Sequence, residues 1–486
     1  MDSSITLPFW LFVLITVFAA IMVLDRFLMP GMRWYFRRRV NRVIDEINTR
    51  LDVEIRPLQI TRRKALIERL VYDEKVLEAV KQTSQEKGMP VAVAQDKARK
   101  YANEIVPAFN AYMYFRVGYW LSKKLARLVY RVRVGFFDNN ALSKVDPESA
   151  VVFVMNHRSN MDYVLVSFLV AEKTALSYAV GEWARIWPLQ TLLKSMGAFF
   201  VRRNSGNPLY RRVLERYVNM STRAGVCQAV FLEGGLSKDG ALHEPRLGFL
   251  DYMLRDYHSD TDRDITFIPV GINYDRVIED RSMVRKLDPR ADKRSKWFVV
   301  KTTVRFMLKT LLLPRKMRLR RFGYASVNFG SPVSAKTYCR RNNQEFVHLE
   351  QESRFQYVAR LADVLMAEIR QTIPITPVAL MAEILLVQRR SWKSELELKS
   401  QALERIEALK QKGAPIRISS SSTESILSGA LDIIDGRGWL DVQDNLYKAR
   451  DDSIVMLEYY ANSIAHWHEV NTKELVAAND AKSANK

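Results

Sequence analysis

The chain has 486 residues, room for roughly three domains, and 48% of them are apolar, ample for a sizeable core. Lysine and arginine number 75 against 54 acidic residues, and the resulting +21 draws polyanions: nucleic acid, anionic headgroups or phosphorylated small molecules. Two cysteines in unrelated contexts, Cys227 and Cys339, exclude a disulfide framework and a zinc site built from cysteine pairs.

Residues 7–24, LPFWLFVLITVFAAIMVL, carry no charge and reach about the 20 residues that a bilayer-spanning helix needs. No basic residue precedes them, whereas Arg26, Arg33, Arg37, Arg38, Arg39 and Arg42 follow. That asymmetry predicts a retained anchor over 1–30, single-pass, with the body on the cytoplasmic side. A cleaved signal and an interfacial hairpin are the competing readings.

Apolar residues at three- and four-residue spacing predict a helical N-terminal domain over 31–130, broken at KGMP, residues 87–90. From 131 the pattern becomes α/β. Short β-branched runs at 150–156, 198–203, 227–235 and 265–274 alternate with helical stretches such as 208–225. This predicts a mostly parallel sheet flanked by helices, over 131–345. His157, Arg202, Glu233 and Pro269 fall at or just past the expected carboxyl ends of strands, the edge where open α/β sheets bind ligands.

Between Asp292 and Glu345 there are 14 lysines and arginines and no acid. Lys301, Arg305 and Lys309, four apart, predict a cationic stripe on a helix lying in the lipid interface among anionic headgroups. A core helix with one solvated face is the alternative. No nucleic-acid-binding motif is present. The remainder, 346–486, reads as a helical C-terminal domain interrupted by SSSST at 419–423. HWH at 466–468 puts its histidines on different helix faces without a companion carboxylate or cysteine cluster, so no metal site is expected.

The chemistry concentrates in NHRSNMDYVLVSF, residues 156–168. If the chain turns between them, Asp162 can fix the tautomer of His157 and support its positive charge, leaving the other ring nitrogen to take a proton from a hydroxyl. GLSKDG at 235–240 lacks the second glycine of a nucleophile elbow, so a substrate hydroxyl, not an enzyme serine, is the expected attacker.

Four segments taken together resemble the glycerolipid H-x4-D acyltransferases. NHRSNMDYVLVSF is similar to their first motif, GAFFVRR (197–203) to the second, FLEGGLSKDG (231–240) to the third and FIPVGINYD (267–275) to the fourth. The likeness is greatest to the bacterial membrane-bound glycerol-3-phosphate acyltransferases, and extends to GYASVNFGSPVS (323–334) and ITPVALMAEILL (375–386). It implies an H-x4-D acyltransferase-like fold on the inner membrane. It also implies transfer of an acyl group from acyl-CoA or acyl carrier protein to the 1-hydroxyl of glycerol 3-phosphate in phospholipid biosynthesis, with no other cofactor.

Carried over, His157 would be the general base and Asp162 its orienting partner. Arg202 and Arg203 would hold the acceptor's phosphate. Glu233, Gly234, Gly235, Ser237 and Lys238 would line the acceptor, and Pro269 the thioester side. Leu236 stands where the family's third motif has an arginine. A lysophosphatidate or other lysophospholipid acceptor is therefore the alternative within the class, and an inactive membrane-bound scaffold the alternative outside it.

Overall fold

The computed structural model describes residues 56–135, 145–171, 174–181, 184–185, 189–202, 205–287, 321–387, 390–416 and 423–467, besides the single positions 16, 305, 314 and 317. The expected anchor, nearly all of the basic stretch at 297–321, Arg203 and His468 lie outside them. Among the described residues no single helix is long and apolar enough to cross a membrane; one bent pair of helices passes the same test jointly.

Helices α1 (Arg63–Val71), α2 (Glu74–Glu86), α3 (Val91–Ile105) and α4 (Tyr119–Val129) open the fold, α4 being entered through a π-helical turn at Met113–Gly118. Asp73 caps α2 by accepting from the Lys75 N–H at 3.1 Å. Past its end Gly88 takes φ +57, the left-handed conformation that glycine adopts without penalty.

The sheet follows: β1 (Arg131–Val134), β2 (Ala150–Met155), α5 (Met161–Val170), β3 (Ser177–Gly181), β4 (Ala198–Val201), α6 (Pro208–Arg223), β5 (Gln228–Phe231), α7 (Gly248–Leu254), β6 (Ile265–Tyr274), β7 (Tyr324–Phe329) and β8 (Val333–Ser334). Their order is β1-β7-β6-β2-β5-β3-β4, with β8 also on β6. Only the pairings of β6 with β7 and with β8 are antiparallel. β2 and β6 are buried at every position, which is why they read as continuous apolar runs.

Side chains alternate between two cores. Val151, Phe153, Met155, Ile268, Val270 and Ile272 face a layer built from α4, α5 and the C-terminal helices. Ala150, Val152, Val154, Ile265 and Phe267 face α1–α3, α6, α7 and the long helix α8 (Gln351–Thr372). The C-terminal layer comprises α9 (Pro377–Leu386), α10 (Glu395–Gln411), α11 (Thr423–Asp435) and α12 (Ile454–Ala461).

Two expectations need correction. The C-terminal stretch is not purely helical: Lys393–Ser394, Leu440–Gln443 and Leu446–Ala449 pair into a small antiparallel sheet, turned at Asp444 and Asn445 with φ +49 and +60. Asp and Asn tolerate that left-handed turn, so DN is the hairpin signal. Pro269 is not at a strand end, because β6 runs five residues beyond it. It sits opposite Val154 of β2 where β7 gives way to β8, and its missing N–H falls in that gap. Both cysteines are free and buried, and burial pushes each thiol up to about 12.

Candidate active site

Three neighbouring strands, β5, β2 and β6, deliver the site. Past Met155 the chain leaves β2 and turns back into α5, which places Asp162 in that helix's first turn, where the helix dipole favours a carboxylate. Asp162 Oδ2 accepts from His157 Nδ1 at 2.8 Å and from the N–H groups of Arg158 and Ser159 at 2.7 and 3.0 Å. Its other oxygen accepts from the Tyr274 hydroxyl at 2.5 Å. With a carboxylate that only accepts, the proton of His157 resides on Nδ1 and the lone pair on Nε2. Nε2 makes no hydrogen bond among the described residues.

The imidazole stacks on Phe231 with centroids 3.8 Å apart and meets Tyr163 edge-on. Although it follows a strand end, His157 is only 2% exposed and Asp162 is fully buried. Aromatic walls account for the burial.

A second carboxylate holds the loop from the β5 side. Glu233 accepts the His157 N–H at 2.8 Å on one oxygen and the His243 N–H at 3.0 Å on the other. Burial raises it to about 7 against the pull of those donors. Both oxygens are thus engaged by backbone, so Glu233 shapes the loop. Glu279 closes it from a third side, accepting from the Ser159 hydroxyl at 2.7 Å and the Asn160 amide at 3.0 Å, and burial holds it above the ordinary carboxylate range.

The glycine loop after β5 divides into distinct roles. Gly234 has φ +67, and a Cβ there would stand 2.8 Å from Arg246 Cγ. Ser237 is buried; its N–H donates to the His157 carbonyl and its hydroxyl to the Ala241 carbonyl, so it is committed to the turn. Gly235 and Leu236 are half-buried, Leu236 packing on the core, and Lys238 is exposed.

Arg202 is placed elsewhere. β4 lies three strands from β2, roughly 14 Å at the usual spacing. Its guanidinium donates two hydrogen bonds to the Glu104 carboxylate of α3, at 2.8 and 2.6 Å, between the rings of Tyr101 and Tyr210. Of the two forks expected to grip phosphate, that of Arg202 is engaged by Glu104, and Arg203 lies outside the described residues. A buried cation follows the pair's histidine in the chain, Arg158, which spacing did not single out. It is 2% exposed, its Nη1 donates to the Gly240 carbonyl, and its guanidinium lies 4.8 Å over Tyr459 of α12. Nε and Nη2 are buried without a partner among the described residues. Tyr274 was within reach of sequence reasoning, since alternation along β6 puts it on the face of Ile268, Val270 and Ile272. Glu279 left no trace in spacing. Among the described residues no cluster suits a metal ion.

Residues 138–273 match the acyltransferase family model, and residues 308–468 match the model of the glycerol-3-phosphate acyltransferase C-terminal region. The chain is 28% identical over 426 residues to glycerol-3-phosphate acyltransferase of Aeromonas hydrophila, covering 84% of this chain and 50% of that protein. It is 30% identical over 360 residues to that of Pseudomonas putida, covering 71% and 41%, and 27% identical over 446 residues to that of Xanthomonas axonopodis pv. citri, covering 88% and 48%. The chain is thus similar to glycerol-3-phosphate acyltransferases across both matched regions, and it spans about half the length of the curated relatives it matches. A looser likeness, to the 1-acyl-sn-glycerophosphate acyltransferase of Thermotoga maritima, has 17% identity and a TM-score of 0.29 over 52% of this chain and 80% of that one, too slight to carry an argument.

Proposed function

We propose that the chain transfers a fatty acyl group from a thioester, acyl-CoA or acyl carrier protein, to the 1-hydroxyl of glycerol 3-phosphate. The observation that carries the reading is the His157–Asp162 pair at 2.8 Å, anchored by Tyr274, with Nε2 unengaged among the described residues. His157 Nε2 takes the acceptor hydroxyl's proton as its oxygen attacks the thioester carbonyl. The tetrahedral intermediate collapses, the C–S bond breaks, and the departing thiolate receives that proton from the imidazolium. The thioester supplies the leaving group, so no cofactor takes part.

Arg158 holds the acceptor's phosphate. Its two unpartnered donors and the absence of an ion-pairing carboxylate among the described residues leave a buried charge that a phosphate would satisfy. Residues 7–24 anchor the chain in the inner membrane with this body on the cytoplasmic side, and the +21 charge favours anionic headgroups. Leu236, apolar and half-buried beside the third-motif loop, supports one other acceptor, a lysophospholipid whose acyl chain it would touch.

Thiol release from palmitoyl-CoA, with glycerol 3-phosphate or lysophosphatidate as acceptor, tests the reading. Wild type should release thiol with glycerol 3-phosphate, and His157→Ala should lose at least a hundredfold in kcat. Near-normal turnover by His157→Ala would remove the general base. Activity on lysophosphatidate alone would favour the second acceptor, and none on either would leave a scaffold.

A further inference from the structure

One helical ridge is more exposed than its composition warrants. Tyr112, Arg116, Trp120 and Lys124 stand four apart along the π-turn and α4, and all four are exposed, Trp120 at 57% and Tyr112 at 50%. Aromatic and cation alternate, at about 6 Å per step along a helix. Lys124 Nζ lies 4.6 Å over the Trp120 ring, and a shallow depression there is lined by Trp120, Lys123, Lys124, Arg127 and Leu128. From 105 to 137 the sequence has six lysines and arginines and no acid.

The opposite side of the same helix is fixed in the fold. Ser122, Ala126 and Val129 are buried, Tyr119 packs on Phe168 of α5, and Arg127 lies over that ring. Gly118 approaches so closely that a Cβ would meet Met196 at 2.7 Å. The exposed ridge is therefore rigidly presented, and it rides on the helix whose first turn holds Asp162.

We propose that the Tyr112–Lys124 ridge docks on the surface of an anionic bilayer, Trp120 and Tyr112 at headgroup depth and the cations among lipid phosphates. Exposed tryptophan interleaved with cations on an amphipathic helix suits that boundary, where a ring has an apolar body and a polar edge. The ridge is flanked by half-buried Val117, Leu121 and Leu128, apolar neighbours that suit an apolar–polar boundary better than a nucleic-acid backbone. Docking would hold α5, and so the His157–Asp162 pair, beside the membrane where acyl chains partition. The inference deepens the proposed membrane location and is independent of whether acyl transfer occurs.

The buried, high-pKa thiols of Cys227 and Cys339 allow selective labelling of the full chain. A polarity-sensitive dye on Trp120→Cys would be compared with the same dye on Tyr72→Cys, which is 60% exposed and lies at the end of α1 on the other side of the sheet. Both proteins are reconstituted in vesicles of phosphatidylglycerol and phosphatidylcholine, with and without brominated acyl chains. The dye at 120 should shift to the blue and be quenched by bromolipid, and the dye at 72 should do neither. Adding Arg116→Gln and Lys124→Gln should lower the docking constant by roughly thirtyfold, about fivefold for each cation removed. Equal, water-like signals at both positions would overturn the proposal. So would a shift at 120 produced by an oligonucleotide and not by lipid. Since the readout is spectroscopic, an inactive chain that still docks would sink only the acyl-transfer reading.

Discussion

Arg158 and Glu233 are the residues whose physics is least ordinary. A buried guanidinium without a carboxylate is costly to keep, so Arg158→Met should unfold at the same or higher denaturant concentration than wild type. It should meanwhile raise the Michaelis constant for glycerol 3-phosphate about ten- to a hundredfold, the worth of hydrogen bonds to a charged group. Lost stability with an unchanged Michaelis constant would make Arg158 a structural tie to Gly240 and Tyr459 only. For Glu233 the sign follows from its raised value, about 7 against 4.5 for the free group. Below 4.5 both folded and unfolded chains hold the proton, and its contribution is fully present. As pH rises toward 7 the unfolded chain releases the proton first, so stability falls by about 3 kcal/mol from this group. Glu233→Gln should flatten that part of the pH profile of thermal unfolding. Asp275, fully buried and raised to about 6, keeps its own share of the slope in both proteins, so the difference between the profiles isolates Glu233. Identical profiles would contradict the burial argument. Glu233→Gln should also turn over more slowly, because an amide NH2 then opposes a backbone N–H of His157 or His243.

Between elements, a buried cluster helps tie the C-terminal layer to the chain that leaves β6. Arg437, after α11, pairs with Asp280, which also accepts from the Tyr460 hydroxyl of α12 at 2.6 Å, and both ion-pair members are 4% exposed. Arg437→Met leaves Asp280 buried without its cation and should cost about 3–5 kcal/mol in urea unfolding, part of it recovered by adding Asp280→Asn. A loss below 1 kcal/mol would show the pair to be dispensable. The elements differ in how far sequence foretold them. β2, β5 and β6 are buried on both faces and so announce themselves as β-branched runs. β3, SYAVG, is short and ends on glycine, and its strand character comes from being clasped between β4 and β5. The His157–Asp162 pair was legible because only four residues separate its members. Tyr274 and Glu279 reach the same loop across 112 and 120 residues, a closure that only the assembled sheet creates. Arg202 does follow the end of its strand as its motif suggests, but the strand order sets that end apart from β2 and its guanidinium on Glu104, which spacing alone does not reveal.

For the molecule as a whole, sequence suggested an acyltransferase domain at 131–345 with helical regions on either side. In the folded chain one sheet face is covered by α1–α3 and α8 and the other by α4, α5 and α9–α12, so both flanks complete its core. A chain ending at 345 should therefore bind a hydrophobic dye strongly and lose cooperative unfolding, whereas a sharp transition near that of the full chain would establish an autonomous domain. The two cysteines lend this global view a further use. One lies beside β5 and the other in the helix after β8, and both thiols are protonated and sealed while the fold persists. Their exchange with an aromatic disulfide must therefore wait for unfolding, so colour from such a reagent in a turnover assay reports product thiol alone. In the absence of substrate the same reagent becomes a clock, releasing two equivalents per chain at the rate at which native molecules disappear.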